Sequence, residues 1–441
     1  MRRSDRSPST VQLALLAAGV AAAVGCVDNT PAPTASSPAP TANLPAAPAP
    51  VSPQNTAAAK SFYAVGRFSR RPTVVAMTEL GRRLFFDPQL SVSGKMSCAT
   101  CHDPRFAYGP PNARSTQLGG PDLKSVGLRA APALRYLQAV PPFSQHHFDE
   151  AVDESVDQGP TGGHTWDGRA DTTHDQARLP LTSPFEMANP DIDSVVARVV
   201  HGPLADQFRA TFGDDVFSDP LRGSTALLQS LEVFQQSPKD FYPYDSRYDA
   251  YLRRKGTLSA SEQHGLALFN DPKKGNCVSC HPSGVRKGGF PNFTDFGYNA
   301  IAVPRNRTLP ANADRSYHDL GLCGPVRTDL RGHQEYCGQF RVPPLRNVAL
   351  RRAFFHNGVF HRLEDVLAFY VTRDSDPGRW YGKAGGKVDP FDDLPVPYRK
   401  NVNTDPPFGG KPGAVPALNR KEIADVIAFL KTLTDADLEK Q

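Results

Sequence analysis

The sequence lacks a long apolar segment, a large net charge and any run of alternating strand-forming residues. Its only long apolar run, residues 11–25, is too short to span a bilayer comfortably, which excludes a polytopic membrane protein. The 441 residues carry 50 basic and 45 acidic side chains, so the net charge of +5 gives no indication of nucleic-acid binding. With 25 Phe and 13 Tyr the chain has the aromatic content of a globular core, which excludes disorder as the dominant state.

Methionine is also scarce, because the chain has only four and none after Met187. A metal site in the C-terminal half that uses a thioether ligand is therefore excluded unless an earlier methionine reaches it. Proline, in contrast, is abundant at 42 residues, about twice the usual share. This composition predicts a loop-rich fold with short helices.

Residues 1–25 have the pattern of an export signal, in which basic residues precede the apolar run. Cys26 follows directly and resembles the lipidated cysteine of bacterial lipoproteins, although Ala23 stands where the usual residue is Leu. An ordinary signal peptide that is cleaved nearby is the alternative. Residues 26–60 are rich in Pro and Ala and predict an extended tether. We therefore expect a periplasmic lipoprotein that contacts the membrane only through a lipid anchor on Cys26.

Four of the seven cysteines lie in two C-x-x-C-H motifs, the attachment signal for c-type haem. In this motif both thiols bond covalently to one haem and the histidine ligates its iron. A thioredoxin-like dithiol or half of a zinc site would not need the histidine. The sequence therefore predicts two covalently bound haem c groups. The motif residues are Cys98, Cys101 and His102, and Cys277, Cys280 and His281.

Two further cysteines, Cys323 and Cys337, belong to neither motif. Because export places them in an oxidising compartment, we expect them to form a disulfide. A third metal site would need more ligands than this segment contains.

An internal repeat indicates two haem domains. Residues 80–88 and 264–272 share Gly, Leu, Phe, Asp and Pro in register, and each segment precedes a C-x-x-C-H motif. We expect a short amphipathic helix ended by Asp-Pro before each haem, and a further capped helix over residues 419–433. The predicted fold is mainly α with long loops, and has an N-terminal haem domain at residues 61–250 and a C-terminal haem domain at residues 251–441.

Four segments together resemble the bacterial di-haem cytochrome c peroxidase family, which includes MauG-type enzymes. The resemblance spans roughly residues 70–435 and implies a peroxidase that reduces hydrogen peroxide at the N-terminal haem, with electrons relayed through the C-terminal haem. It implies a small redox protein or, as in MauG, a side chain of a protein substrate as electron donor. The four segments are residues 84–102, 166–187, 277–281 and 342–370.

The resemblance gives catalytic roles to Trp166, Gln176 and Glu186. The family's bridging tryptophan corresponds to Trp166, and its distal glutamine and glutamate lie ten and twenty residues further on. A glutamate above an open iron face can take a proton from one peroxide oxygen and return it to the other, while the glutamine orients the peroxide. The alternatives are that Glu186 is a surface residue and that Trp166 belongs to the core.

The chain departs from the classical family pattern beside the N-terminal haem. Family peroxidases carry a distal histidine that blocks this haem until reduction, but the matching residues 121–132 contain none. His146, His147 and His164 follow further along the chain. We expect an N-terminal haem that is open as isolated.

The axial ligand of the C-terminal haem is a second departure. Tyr370 aligns with the classical axial methionine, which resembles the MauG arrangement, and a phenolate favours high-valent iron. Tyr370 lies on a helix predicted from Leu363 to Val371, and its alternative role is a core aromatic. The alternative ligands are His318, His333, His356 and His361.

The inter-haem calcium is a third departure. The resemblance implies an asparagine ligand at the position of Ala130, which has no side-chain oxygen. Carbonyl groups near Arg351 and Ala353 are the remaining candidate calcium ligands.

Two other functions compete with a peroxidase. A di-haem electron-transfer cytochrome c would have both irons fully ligated, and Glu186 and Gln176 would then be incidental. A gas sensor would need an open haem, but the sequence contains no signalling domain.

Overall fold

A computed structural model describes residues 66–149, 153–286 and 288–439. The predicted signal segment 1–25, Cys26 and the tether lie outside the described residues. Within these ranges, no helix is long and apolar enough to cross a membrane.

The described ranges contain eleven α-helices, most of them short. They are α1 Val74–Phe86, α2 Cys98–Cys101, α3 Thr173–Thr182, α4 Ile192–Val200, α5 Ala205–Phe212, α6 Pro220–Gln235, α7 Pro238–Phe241, α8 Arg247–Leu252, α9 Ala260–Asn270, α10 Leu363–Thr372 and α11 Arg420–Lys431. Short 3₁₀ helices connect them at Pro88–Leu90, Pro104–Phe106, Asp214–Phe217, Cys277–Ser279, Pro310–Ala313, Gln334–Tyr336, Val348–Leu350, Pro377–Arg379 and Val396–Asn401.

The strands of the same ranges form four two-stranded antiparallel sheets. β1 Leu118–Gly119 pairs with β2 Ser125–Val126, β3 Phe148–Asp149 with β4 Asp153–Asp157, β5 Tyr298–Asn299 with β6 Phe340–Arg341, and β7 Lys383–Ala384 with β8 Lys387–Val388. Because the sheets are this small, helices supply most of the regular structure, in agreement with the predicted mainly α fold.

The helices predicted from capping patterns are confirmed. The Ser259 side chain accepts a hydrogen bond from the Glu262 amide at the start of α9, and the Glu262 carboxylate accepts one from the Ser259 amide. Asn419 and Glu422 form the same reciprocal pair before α11. Each pair satisfies amide groups that a helix start leaves without partners.

The internal repeat encodes the same close helix crossing twice. Gly81 of α1 packs against α6, where an added Cβ would lie 1.9 Å from the carbonyl oxygen of Ser230. Gly265 of α9 packs against α11, where an added Cβ would lie 1.9 Å from the carbonyl oxygen of Asp425. In each repeat a glycine is required because the helix backbones approach so closely.

Two hydrophobic clusters lie beside these crossings. The first contains residues between Leu80 and Phe241, and the second contains residues between Tyr248 and Leu433. The predicted domain boundary near residue 250 stays a prediction.

Buried ion pairs join the N-terminal half of the described chain to its C-terminal half. Arg135 donates to Asp435 at 2.7 Å, and the Asn347 amide donates to the same carboxylate at 2.7 Å. Arg129 pairs with Asp167 at 2.7 Å and with Asp319 at 2.6 Å. These contacts fix the segments on either side of the candidate site.

Candidate functional site

The two C-x-x-C-H motifs present their thiols and imidazoles in the form that covalent haem attachment requires. All four cysteines are free thiols. The Nδ1 atom of His102 donates to the carbonyl of Tyr108 at 3.0 Å, and that of His281 donates to the carbonyl of Phe293 at 2.6 Å. This tautomer leaves each Nε2 free to ligate a metal. Burial lowers the pKa of both histidines to about 4, so both are neutral near pH 7. These residues fit two haem c groups.

A cavity of about 660 Å³ adjoins the second motif. Its wall includes Cys277, Cys280, His281, Trp166 and Tyr370. The volume lies within the range of roughly 300–1,000 Å³ that is typical of cofactor sites. The cavity therefore brings the predicted ligand Tyr370 and the predicted bridging residue Trp166 to the same space as the attachment residues of the second haem.

Tyr370 lies on α10, and its ring stacks against Phe408 with 5.2 Å between ring centroids. Burial raises the pKa of its phenol, and negative charge on Cys280 and Cys277 would raise it further. This electrostatic influence shows that the phenol faces the second motif. Without a metal, Tyr370 is therefore protonated near neutral pH.

Three of the four alternative histidine ligands do not line this cavity. Each has its Nδ1 atom in a hydrogen bond elsewhere: His318 with the Asp393 carbonyl at 3.1 Å, His333 with Glu335 at 2.9 Å, and His361 with the Arg352 carbonyl at 2.9 Å.

The fourth, His356, does line the cavity and is only 5% exposed. Its ring stacks on Phe340 with 3.6 Å between ring centroids, and its buried Nε2 atom has no hydrogen-bond partner in the described part of the chain. The cavity wall thus contains two of the candidate ligands, Tyr370 and His356.

Glu186 lies near the first motif, because its charge would raise the pKa of both Cys98 and Cys101. The residue is exposed, as the surface-residue alternative expects. The protein around its carboxyl nevertheless raises its pKa above the usual value. A hydrogen bond with Ser183 and the positive charge of Arg169 oppose this rise.

The backbone at Glu186 is fixed by the turn that follows α3 and by the β1–β2 hairpin. The Glu186 amide donates to the Ser183 carbonyl at 3.0 Å, and its own carbonyl accepts from the Gly120 amide at 2.8 Å. Gly119 packs directly on this turn. A Cβ at Gly119 would lie 2.2 Å from the carbonyl oxygen of Phe185 and 2.8 Å from the Cα of Glu186.

Gly119→Ala should therefore displace Glu186 and slow the reaction with peroxide about 10- to 100-fold, since small misplacements of catalytic groups cost this much. Haem content should stay at two per chain. Gly332→Ala is the matched control, because nothing lies within 4 Å of a Cβ at that exposed glycine. Stopped-flow mixing with hydrogen peroxide measures both rates, and equal rates would show that Gly119 does not position Glu186.

Trp166 is held at the cavity wall by two hydrogen bonds. Its indole Nε1 donates to the Ala130 carbonyl at 2.7 Å, and its own carbonyl accepts from the Arg341 amide at 2.9 Å. Gln176 lies on α3, where its backbone N–H donates to the carbonyl of Thr172 at 3.0 Å. Gln176 therefore shares the α3 segment with the turn that carries Glu186.

The histidines considered as blocking ligands lie in two different environments. His146 is exposed and pairs with Asp157 at 2.6 Å, and His147 is half-buried. His164 is buried, and its amide donates to the carbonyl of Ala170 at 2.6 Å. Burial and the charge of Arg341 lower the pKa of the His164 imidazole to about 3.

Some features of the site were not identified from the sequence. His174 is buried between α3 and α6, where its Nδ1 atom lies 2.7 Å from the Glu232 carboxylate. Arg351 lines the cavity of the second motif. Away from the cavity, Cys323 and Cys337 form a disulfide.

Comparison with known proteins places these features in a family. The sequence profile of di-haem cytochrome c peroxidases matches residues 75–257. The chain is 34% identical to methylamine utilization protein MauG from Paracoccus denitrificans over 387 residues, which cover 84% of this chain and 91% of that protein. It is 27% identical to cytochrome c551 peroxidase from Nitrosomonas europaea over 386 residues, which cover 82% of this chain and 81% of that protein.

A solved structure shows the same relationship. The diheme peroxidase BthA from Burkholderia thailandensis superposes with a TM-score of 0.73 and is 41% identical in sequence. The superposition covers 83% of this chain and 87% of BthA.

Proposed function

This chain belongs to the di-haem cytochrome c peroxidase family, and we propose that it reduces hydrogen peroxide at an N-terminal haem ligated by His102, with electrons relayed through a C-terminal haem ligated by His281. As a member of this family it is an oxidoreductase of the peroxidase type with two c-type haems. The observation that carries the proposal is the carboxylate of Glu186, which lies close enough to the Cys98–Cys101 motif to influence its thiols and has a raised pKa. A plain electron carrier would have no use for such a group.

When bound, the haems supply the iron redox chemistry of the reaction. Glu186 acts on the protons. Its carboxylate accepts a proton from one peroxide oxygen and returns it to the other, so that the second oxygen leaves as water. The raised pKa makes this exchange efficient, because a proton shuttle works best when its pKa lies near the working pH. Gln176 orients the peroxide from α3.

Trp166 links the two halves of the site. Its ring lines the cavity of the second motif, and its indole nitrogen is bound to the Ala130 segment, which precedes the Pro132 contact of His102. The indole hydrogen bond to Ala130 orients the ring, and the backbone bond from Arg341 holds the residue in place, as a relay between fixed groups requires.

Tyr370 is the proposed axial ligand of the second haem. It lies on the cavity wall and faces the thiols of Cys277 and Cys280. An anionic phenolate would stabilise oxidised iron and favour a MauG-like reaction, in which a side chain of a protein substrate is the electron donor. A small redox protein is the alternative donor. Export to the periplasm, with an anchor at Cys26, would place the enzyme where c-type haem is assembled.

Trp166→Phe tests the relay. The variant should react with the first equivalent of peroxide at a rate close to that of the wild type. Transfer of the oxidising equivalent to the second haem should be slowed about 10-fold or more, since the indole is the bridging group. Rapid-freeze electron paramagnetic resonance of the ferric haems measures this transfer.

Trp380→Phe is the matched control, because Trp380 is the only other tryptophan and packs on Phe360 and Phe369 rather than on the Ala130 segment. If the oxidising equivalent reaches the second haem at equal rates in the two variants, Trp166 is only a packing residue. A ferric protein that does not react with peroxide at all would instead support the electron carrier.

A further inference from the structure

A half-buried cationic side chain lies where the family resemblance implies a calcium ion. The Arg351 Nη2 atom donates to the carbonyl of Ala131 and to the carbonyl of Ala353, each at 3.1 Å. Ala353 belongs to the segment whose carbonyls remained as candidate calcium ligands. Ala131 directly follows Ala130, which stands at the position of the asparagine ligand. The guanidinium therefore binds one of the candidate calcium carbonyls and the carbonyl of the residue that follows the missing asparagine.

We propose that the guanidinium of Arg351 replaces the inter-haem calcium in this protein and holds the Ala130–Ala131 segment against Trp166. The proposal concerns the cation between the two motifs and does not depend on the peroxidase reaction.

The residues present do not fit calcium. A calcium ion takes six to eight oxygen ligands at roughly 2.3–2.6 Å, usually with carboxylates among them. Ala130 offers no side-chain oxygen, and in the described ranges no group of three or more His, Cys, Asp or Glu side chains forms a metal site. The carbonyls of Ala131 and Ala353 already accept hydrogen bonds from Arg351. A divalent ion beside this guanidinium would also be repelled by its charge.

Arg351 connects the cavity of the second motif to the N-terminal half of the chain. It lines that cavity, and its Nη2 atom donates to the carbonyl of Ala131. A guanidinium keeps its proton at neutral pH. A permanent positive charge thus lies beside the second haem site.

The bonds of Arg351 extend to the bridging tryptophan. The Ala130 carbonyl accepts from the indole of Trp166 at 2.7 Å, and the Ala130 amide donates to the carbonyl of His356 at 2.7 Å. Arg351 anchors the next residue, Ala131. Arg351 is therefore a positioning residue, and loss of its side chain should loosen the segment that orients the indole.

Calcium binding by the wild-type holoprotein is the first test. We expect isothermal titration with calcium chloride to show no stoichiometric site, and metal analysis of protein purified without chelators to show well below one calcium per chain. Treatment with a chelator should leave the ferric haem spectra unchanged. One tightly bound calcium per chain would overturn the proposal, whatever the peroxidase activity.

Two double variants test whether the Arg351 guanidinium is what excludes calcium. Arg351→Ala combined with Ala130→Asn removes the guanidinium and restores a side-chain oxygen, so the titration should now show a site near one calcium per chain. Arg352→Ala with Ala130→Asn is the matched control, since Arg352 is exposed and its guanidinium lies over Phe106. If the haem-loaded Arg351 double variant binds no more calcium than the control, the guanidinium is not what excludes the ion.

The positioning role has its own readout. Arg351→Ala should slow transfer between the haems about 10-fold, as losses of supporting contacts around a metal centre do, and Arg352→Ala should not. Arg351→Lys keeps the charge and should retain part of the rate, and it replaces the alanine variant if that variant does not fold. Equal transfer rates in the Arg351 and Arg352 variants would overturn this role.

Discussion

Glu186→Gln should slow peroxide reduction by about 10²-fold or more while both haems stay attached. The amide has nearly the shape of the carboxylate, but it cannot accept the proton that must leave one peroxide oxygen. Glu186 lies near Cys98 and Cys101 but is not one of the attachment residues, so haem content should not change. Stopped-flow kinetics of the ferric protein with hydrogen peroxide measures the rate.

Glu186 should also determine how the rate of peroxide reduction falls at low pH. A raised pKa means that Glu186 becomes protonated at a higher pH than an ordinary glutamate, whose pKa is about 4.3. Only the deprotonated form accepts a proton, so the wild-type rate should fall as the pH drops through a midpoint above that value. The Glu186→Gln variant should lack this fall.

Glu79→Gln is the control, because Glu79 is an exposed residue of α1 and should leave both the rate and the pH profile unchanged. If Glu186→Gln reacts as fast as the wild type at neutral pH, Glu186 is not the proton shuttle.

Tyr370→Phe should change the spectrum and the potential of the C-terminal haem, while Tyr370→Met and Tyr370→His should raise that potential. In the protein alone burial keeps the phenol protonated. Ferric iron reverses this balance, because the metal charge favours the phenolate. Axial ligands tune haem potentials over about 0.8 V, so the loss of an anionic ligand should shift the potential on the order of 100 mV. Spectroelectrochemistry of the two haems measures the shift.

His356→Ala separates the two candidate ligands on the cavity wall. It should leave the potential of the second haem close to that of the wild type if Tyr370 is the ligand. If Tyr370→Phe changes nothing and His356→Ala changes the spectrum, the ligand is His356. The case for oxidation of a protein substrate would then weaken in favour of ordinary peroxide reduction.

The elements that local sequence dictates could be predicted. The capping residues Ser259 and Asn419 accept hydrogen bonds from amide groups of their own helices, so α9 and α11 can be predicted from local sequence alone. The repeated glycines Gly81 and Gly265 are visible as a pattern, although only the structure shows the carbonyls of Ser230 and Asp425 that require them. The C-x-x-C-H motifs are likewise local, because one turn must hold both thiols and the histidine.

The contacts that depend on distant segments could not be predicted. Gly119 packs against the turn of Glu186, although the two residues are far apart in the chain. The spacing of hydrophobic residues along the sequence gives no sign of this contact. The same holds for Arg351, whose partner Ala131 lies more than 200 positions earlier. An arginine beside the candidate calcium carbonyls is visible in the sequence. The direction of its side chain, however, depends on the folded backbone.

In the proposed reaction the two haems act together on one peroxide molecule, and the decisive measurement is the electron paramagnetic resonance spectrum of the ferric protein after one equivalent of hydrogen peroxide. We expect the ferric signals of both haems to decrease together and to return together as a donor is added. We also expect Trp166→Phe to separate the two signals in time. Loss of one ferric signal alone in the wild type, or no change in either, would contradict it.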